Sequence, residues 1–278
     1  MNGGPARAIL ITGCSSGIGL ASARMLKARG WRVLATARNE ADLARLNTAE
    51  GIEALPLELA DLRSVAAAAD EALRRTHGKL YALFNNAGLG QVGAVEDLSA
   101  DVLRRQLEIN VVAGHELIRR VLPAMRANGA GRIVQCSSVL GLVAASYRGA
   151  YCASKFAIEA LSDALRLELR GTGIAVSIIE PGPIRSRFVE TALANFRSTV
   201  DIEASPHRDI YLTRLSAMEA GGKTAFKLEP EAVAAKLVHA VETRHPKARY
   251  FVTTPTYLSA FAKRALPTAL LDRLVAWM

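Results

Sequence analysis

The feature that most constrains this chain is a rhythm in which short apolar runs alternate with longer amphipathic stretches. The runs at 8–12, 32–36, 54–59, 80–84, 132–135, 174–179 and 249–253 are mostly apolar at every position, which predicts strands buried on both faces. Between them, 17–29, 39–47, 62–76, 100–127, 150–170 and 230–243 carry Ala, Leu and Val at helical spacing. Asp61 and Ser99 stand where helix N-caps belong, and Pro230 suits a first helical turn. Such regular βα alternation predicts an α/β fold, a doubly wound parallel sheet with helices on both faces and right-handed crossovers. No repeat, low-complexity tract or linker interrupts it, so 1–278 reads as a single domain. The rhythm fails at 183–228, where a strand-free stretch of that length predicts a helical lid or binding insert. Beyond the last strand, 255–278 continues as an amphipathic, basic extension divided by Pro267.

Composition removes several classes of function. Half of the 278 residues are hydrophobic, too many for a disordered chain. No window approaches the ~20 apolar residues of a spanning helix. The four-residue apolar run at 8–11 is too short for a secretory signal, so the expected compartment is the cytoplasm. Cys14, Cys136 and Cys152 form no CxxC pair, and the five histidines show no HxxxH or HExxH spacing, so neither a disulfide framework nor a metal site is expected. A net charge of +9 fits a basic soluble surface, phosphate-bearing ligands or contact with an acidic membrane surface. Scattered basic residues and only 5% aromatics argue against a nucleic-acid partner.

The first predicted strand runs into Thr12-Gly13-Cys14-Ser15-Ser16-Gly17-Ile18-Gly19 and then a helix. Glycines at a strand-to-helix turn admit positive φ and close backbone approach, while the helix N-terminus offers free N–H groups and its dipole to a pyrophosphate. The spacing is GxxxGxG, which differs from the GxGxxG dinucleotide fingerprint. The second strand ends Ala35-Thr36-Ala37-Arg38, with no Asp or Glu to accept a ribose 2′-hydroxyl. Arg38 can pair with a 2′-phosphate and stack on adenine, so NADP(H) is favoured over NAD(H).

Tyr151 and Lys155 form the only Tyr-x-x-x-Lys in the chain. On a helix, positions i and i+4 differ by about 40° and ~6 Å, so both side chains enter one site. A phenol with an ordinary pKa near ~10 needs such help to exchange protons at neutral pH. Ser137 and Ser138 end the preceding strand, and Ser138 lies thirteen residues before Tyr151. With these motifs in order, the sequence resembles the short-chain dehydrogenase/reductase family. The family's TGxxxGxG turn is 12–19, its NNAG motif is Asn85-Asn86-Ala87-Gly88, its helix Asn is Asn110, its Ser–Tyr–Lys set is Ser138, Tyr151 and Lys155, and its PG motif is Pro181-Gly182.

The resemblance implies a Rossmann-type fold over the whole chain and a defined division of labour. Tyr151 would protonate a substrate carbonyl oxygen as hydride arrives, or deprotonate an alcohol in reverse. Ser138 would hydrogen-bond the same oxygen, with Ser137 as the alternative serine. Lys155 would lower the tyrosine pKa and bind the nicotinamide ribose, and Asn110 would hold a water that passes protons to Lys155. Gly13, Ser15, Ser16, Gly17, Ile18, Gly19, Asn86, Ala87, Gly88, Pro181 and Gly182 would line the cofactor, with Ile184 and Ser186 near the carboxamide. The chain departs from the family pattern after the third strand, where Glu58 and then Leu59 occupy the usual adenine-binding Asp position and Asp61 reads as a helix cap. The glycine turn also lacks the basic residue of many NADP-preferring relatives, so the NADP expectation rests on Arg38. Cys14 and Cys152 read as small buried fillers.

Membership of a family sets chemistry and leaves substrate open. Phe188, Val189, Phe196, Tyr211, Leu212, Leu215, Met218 and Phe226 suggest an apolar lid over a lipophilic pocket, or amphipathic helices covering the sheet edge. The layout is similar to the branch of 17β-hydroxysteroid, retinol and aldehyde reductases. The leading expectation is an NADP(H)-dependent oxidoreductase for a fatty aldehyde, retinoid or steroid-like carbonyl. A 3-oxoacyl-[acyl-carrier-protein] reductase is the alternative that the charge favours, although the long insert and tail count against it. A non-catalytic NADP(H)-sensing or membrane-associated binding protein would tend to lack the tyrosine or lysine that this chain keeps. The tail, with Tyr257, Leu258, Phe261, Leu270, Leu274 and Trp277 beside Lys263, Arg264 and Arg273, fits packing within the protein, a dimer interface or peripheral membrane contact. By family analogy the helices of Asn110 and Tyr151 form a homodimer or homotetramer.

Overall fold

The computed structural model describes residues 7–219 and 226–275. Its strands are β1 (Ala8–Ile11), β2 (Arg32–Ala37), β3 (Glu53–Pro56), β4 (Leu80–Asn85), β5 (Gly131–Cys136), β6 (Ile174–Glu180) and β7 (Arg249–Phe251). They form one sheet in the order β3-β2-β1-β4-β5-β6-β7, with every ladder parallel. The helices are α1 (Gly17–Ala28), α2 (Glu40–Thr48), α3 (Leu62–Arg75), α4 (Ala100–Leu107), α5 (Ala113–Ala127), α6 (Gly149–Glu168), α7 (Phe188–Thr199), α8 (Arg208–Glu219), α9 (Glu231–Glu242), α10 (Thr254–Ala265) and α11 (Thr268–Val275). This is the doubly wound, Rossmann-like arrangement expected from the alternation.

Successive strand side chains point to opposite faces, so one strand feeds two cores. Ile9 and Ile11 of β1 join Leu26 of α1 and Leu237 and Val241 of α9. Leu10 joins Val65 of α3 and Leu117 and Val121 of α5 on the other face. Strand order reverses between β1 and β4, and their carboxyl ends open the crevice where ligands of such sheets bind. Asp61 and Ser99 cap α3 and α4 as expected, accepting hydrogen bonds from Arg63 N (2.9 Å) and Val102 N (3.3 Å).

Several boundaries differ from the sequence reading. The strand expected at 54–59 ends at Pro56, which leaves Glu58 and Leu59 in the following loop. The helix expected to run unbroken over 100–127 is interrupted by a π turn at Glu108–Val112, which contains Asn110. The insert is built from α7 and α8. Its base is closed by a bridge between Ile184 and Leu228, with Arg185 N donating to Leu228 O (2.9 Å) and Leu228 N to Pro183 O (3.1 Å). Phe196 and Tyr211 pack with Ala94, so the insert rests on the loop after β4. Tail residues Ala262 and Leu271 pack on Val139 and Val143, which fits the expectation of packing within the protein for that face. Tyr257, Leu258 and Phe261 stay exposed on the opposite side. The Met218 side chain, Trp277 and residues 220–225 of the insert lie outside the described residues.

Candidate active site

The glycine turn is held by backbone geometry. Thr12 Oγ1 accepts hydrogen bonds from Asn86 N and Ala87 N, both at 2.9 Å, and Asn86 Nδ2 donates to Thr12 O at 2.8 Å. Gly13 has φ +74°, and a Cβ there would lie 2.9 Å from the Ala87 Cβ. A Cβ on Gly19 would run into the Gly13 carbonyl. At Ser16, the N-cap of α1, the side chain makes no capping hydrogen bond, so the first N–H groups of α1 remain available to a ligand. Ile18 packs against the core beneath the turn. A close-approach cradle with open N–H groups fits the pyrophosphate of a nicotinamide dinucleotide.

At the adenosine end, Arg38 is exposed and holds no ion pair among the described residues. Glu58 uses Oε1 to accept a hydrogen bond from Ala60 N (3.0 Å), and Leu59 packs toward the core. Two arginines absent from the sequence reading reach the turn. Arg45 Nη2 and Arg187 Nη2 donate to Ser15 O at 2.7 and 3.3 Å.

Tyr151 and Lys155 sit one turn apart on α6, with Lys155 Nζ 5.5 Å from the Tyr151 ring centroid. Lys155 is buried and donates to Cys136 O at 2.8 Å, while burial pushes its pKa down. The Tyr151 phenol is pushed up, first by burial and then by the Cys136 thiol, and the Ser138 hydroxyl and the Arg148 guanidinium act in the opposite sense. In the chain by itself, burial therefore outweighs the lowering of the tyrosine pKa expected from Lys155. Ser138 begins a tight turn, accepting from Leu140 N at 3.1 Å, and its hydroxyl favours the phenolate of Tyr151. Ser137 instead lies beside the Glu159 carboxylate, and Ser138 is the serine beside the Tyr151 phenol.

Asn110 is 6% exposed, and both N–H groups of its amide are engaged. Its Oδ1 accepts from Leu89 N (2.6 Å), and Nδ2 donates to Leu89 O (2.9 Å) and Ser154 Oγ (3.0 Å). Gln106 repeats the pattern on Leu89 O (2.9 Å), a brace that helical periodicity could not reveal. A cavity of about 10 Å³ bordered by Thr12, Asn110, Cys136 and Lys155 has room for about one water and brings the glycine turn and α6 to a common space. Phe188, at the start of α7, roofs the site, its ring centroid 5.5 Å from that of Tyr151.

The remaining expected residues are held by contacts of their own. Gly88 would bring a Cβ to 3.2 Å from Asn110 Oδ1. Pro181 O accepts from Val139 N at 2.8 Å, and a Cβ on Gly182 would strike Thr253 Oγ1, so Gly182 has a packing reason of its own. Ile184 packs on the core, and the Ser186 Cβ lies 3.2 Å from the position of a Cβ on Gly17. All three cysteines are buried and free, and burial pushes each thiol up, that of Cys14 to about 12, which disfavours the thiolate.

Behind Ser138 and Lys155 lies a cluster that the sequence reading missed. Arg249 Nη1 donates to Glu159 and, at 2.7 Å, to Glu180 Oε1, and Nη2 donates to Asp163 Oδ2 at 2.7 Å. Glu180 is fully buried, and burial followed by repulsion from Glu159 pushes its carboxyl up to about 8. The only sequence signal was an acidic residue closing an apolar strand.

Fold and site together define a nucleotide-dependent oxidoreductase. Residues 7–195 match the model of the short chain dehydrogenase family, and the chain belongs to that family. It is 43% identical over 269 residues to the uncharacterized oxidoreductase YbbO of Escherichia coli (strain K12), covering 97% of this chain and 94% of the relative. Human 17-beta-hydroxysteroid dehydrogenase type 1 is 36% identical over 260 residues, 88% of this chain and 77% of the relative. A crystal structure of a short chain dehydrogenase/reductase from Burkholderia phymatum in complex with NAD superposes with a TM-score of 0.79 at 27% identity, over 99% of this chain and 97% of that one.

Proposed function

We propose that this chain is an NADP(H)-dependent reductase of lipophilic aldehydes or ketones, reversible as an alcohol dehydrogenase. The observation that carries the reading is Tyr151 one turn from Lys155 on α6, with the Ser138 hydroxyl acting on its phenol and Lys155 bordering the cavity that Thr12 and Asn110 also line. Bound NADPH would supply the hydride. Tyr151 holds the proton that the substrate oxygen takes, and the raised phenol pKa keeps that proton in place until charge develops on the oxygen. Ser138 donates to the same oxygen and stabilises its developing charge. Lys155 would hold the nicotinamide ribose and, through a water in the cavity that it borders with Asn110, restore the proton.

A 2′-phosphate is favoured by Arg38 and by Ala37, which cannot accept a ribose hydroxyl through its side chain, although the B. phymatum relative holds NAD. A lipophilic substrate is supported by the Phe188 roof and by the steroid-acting relative. The purified protein is expected to oxidise NADPH, and NADH at least tenfold less efficiently, with long-chain aldehydes, retinal or steroid ketones. Turnover confined to 3-oxoacyl thioesters would replace that substrate class, and equal use of both nucleotides would reject the phosphate preference.

Pairing of two copies through α5 and α6 is supported by exposed Leu161 and Leu167 on α6, and is measured by analytical ultracentrifugation. Peripheral contact of the tail with an anionic membrane is supported by Tyr257, Leu258 and Phe261 beside Arg264, and is measured by liposome sedimentation. Among the described residues, no helix is long and apolar enough to cross a membrane.

A further inference from the structure

Two guanidinium groups converge on one neutral oxygen at the glycine turn. Arg45, from α2, and Arg187, immediately before α7, approach the Ser15 carbonyl from different elements, at 2.7 and 3.3 Å. Their nearby counter-charge is Asp42, which bonds Arg45 at 2.9 Å and whose ionised form both arginines favour. Glu50 lies 3.7 Å from Arg45 but is engaged by Arg24. Arg38 stands on the same rim, two residues beyond Thr36, whose carbonyl accepts from Cys14 N at 2.8 Å inside the turn. Arg45 and Arg187 thus share Asp42, with Glu50 already engaged by Arg24, and Arg38 holds no ion pair among the described residues. Each guanidinium carries five N–H donors, and Arg187 spends one of them on a backbone carbonyl. Two cations on one uncharged acceptor make a poor resting arrangement, and a dianion with three acceptor oxygens would complete it.

We propose that Arg45 and Arg187, together with Arg38, form the seat of the 2′-phosphate, and that Arg187 thereby ties the root of the lid to the nucleotide. The inference rests on the NADP(H) reading above and extends it to two residues that the pattern at the end of β2 does not predict. It also explains how a glycine turn without a basic residue of its own can hold a phosphate, since the charge is lent from α2 and from the lid. A purely structural role is the competing account, in which the two arginines only brace the Ser15 backbone.

Calorimetric titration of the full chain with adenosine 2′,5′-bisphosphate and with 5′-AMP separates these accounts, because the two ligands differ only by the 2′-phosphate. The wild type is expected to prefer the bisphosphate at least tenfold. Arg45→Gln and Arg187→Gln should each weaken the bisphosphate about tenfold and 5′-AMP less than about twofold. Arg45→Lys should recover part of the loss, since it keeps the charge without the planar fork. Equal loss for both ligands in either Gln variant, or equal loss in Arg45→Lys and Arg45→Gln, would overturn the seat in favour of bracing. A wild type that binds both ligands equally would instead overturn the NADP(H) reading. Melting curves matched to the wild type confirm that folded proteins are being compared, and if a Gln variant does not fold, the Lys variant carries the same test against the wild type.

Discussion

The glycine turn and the lid border the same cleft and are fixed by different means. The turn is mainly a backbone object, in which main-chain groups of Thr12, Asn86 and Ala87 are pinned by the Thr12 hydroxyl and the Asn86 amide and Gly19 leaves no space for a Cβ. The lid is a side-chain object. Tyr211 donates to Asp97 and accepts from Ala94 N (2.7 Å), Gln91 Nε2 donates to Thr199 Oγ1 (2.9 Å), and His207 lies 2.7 Å from Glu96 Oε1. A backbone-built element has few permitted sequences and one permitted shape. A side-chain-built element can be assembled from many sequences, so it can vary with substrate while the nucleotide site stays constant.

Four changes would break or sharpen that contrast. Tyr151→Phe acts where the two regions meet and should lower turnover about 10²–10⁴-fold while nucleotide titration stays at wild type. Retained turnover would remove Tyr151 from the chemistry. Gly19→Ala should cost about 1–3 kcal/mol in urea denaturation and abolish nucleotide binding, because its methyl meets the Gly13 carbonyl. A tolerated alanine would mean that the turn is more plastic than its contacts suggest.

Beneath both regions, Glu180→Gln tests the buried cluster. The Glu180 carboxyl is raised from 4.5 to about 8, so between those values the unfolded chain binds fewer protons than the folded one and stability falls as pH rises. Glutamine keeps the acceptor for Arg249 without the charge, so its stability relative to wild type should improve by about 3 kcal/mol between pH 5 and 8. A gap that does not move with pH would place the retained proton elsewhere. On the lid, Tyr211→Phe removes two hydrogen bonds and should cost about 1 kcal/mol, seen as faster proteolysis within 188–219 with the core intact. If Tyr211→Phe matched Gly19→Ala in its effect on nucleotide binding, the separation between the regions would fail.

The same contrast explains what could be read from the sequence. The sheet was legible because burial on both faces writes itself as uninterrupted apolar runs, and the turn because glycine spacing encodes backbone conformation. Tyr151, Lys155 and Ser138 were legible as a local pattern. Arg45, Arg187 and the Arg249 cluster were not, because each joins residues far apart in the chain through side chains of a common surface type. The third strand was drawn three residues too long because Pro56 ends β3 sooner than its apolar run suggests. Asn110 was found by motif, but the π turn around it was invisible, since one wider turn barely disturbs an apolar periodicity.

That π turn acts as a phase shifter between two helices that look continuous in sequence. Leu117 and Val121 of α5 are buried in the core, and Gln106 of α4 faces the Leu89 backbone, only because the wider turn resets the angle between them. Closing 108–112 into an ordinary helix without changing its length would rotate everything after it by most of the ~100° that one residue subtends, relative to α4. The apolar face of α5 and the brace around Asn110 could not then both be kept. A substitution here that closes the wider turn therefore alters the core and the active site together, even where its own side chain touches neither.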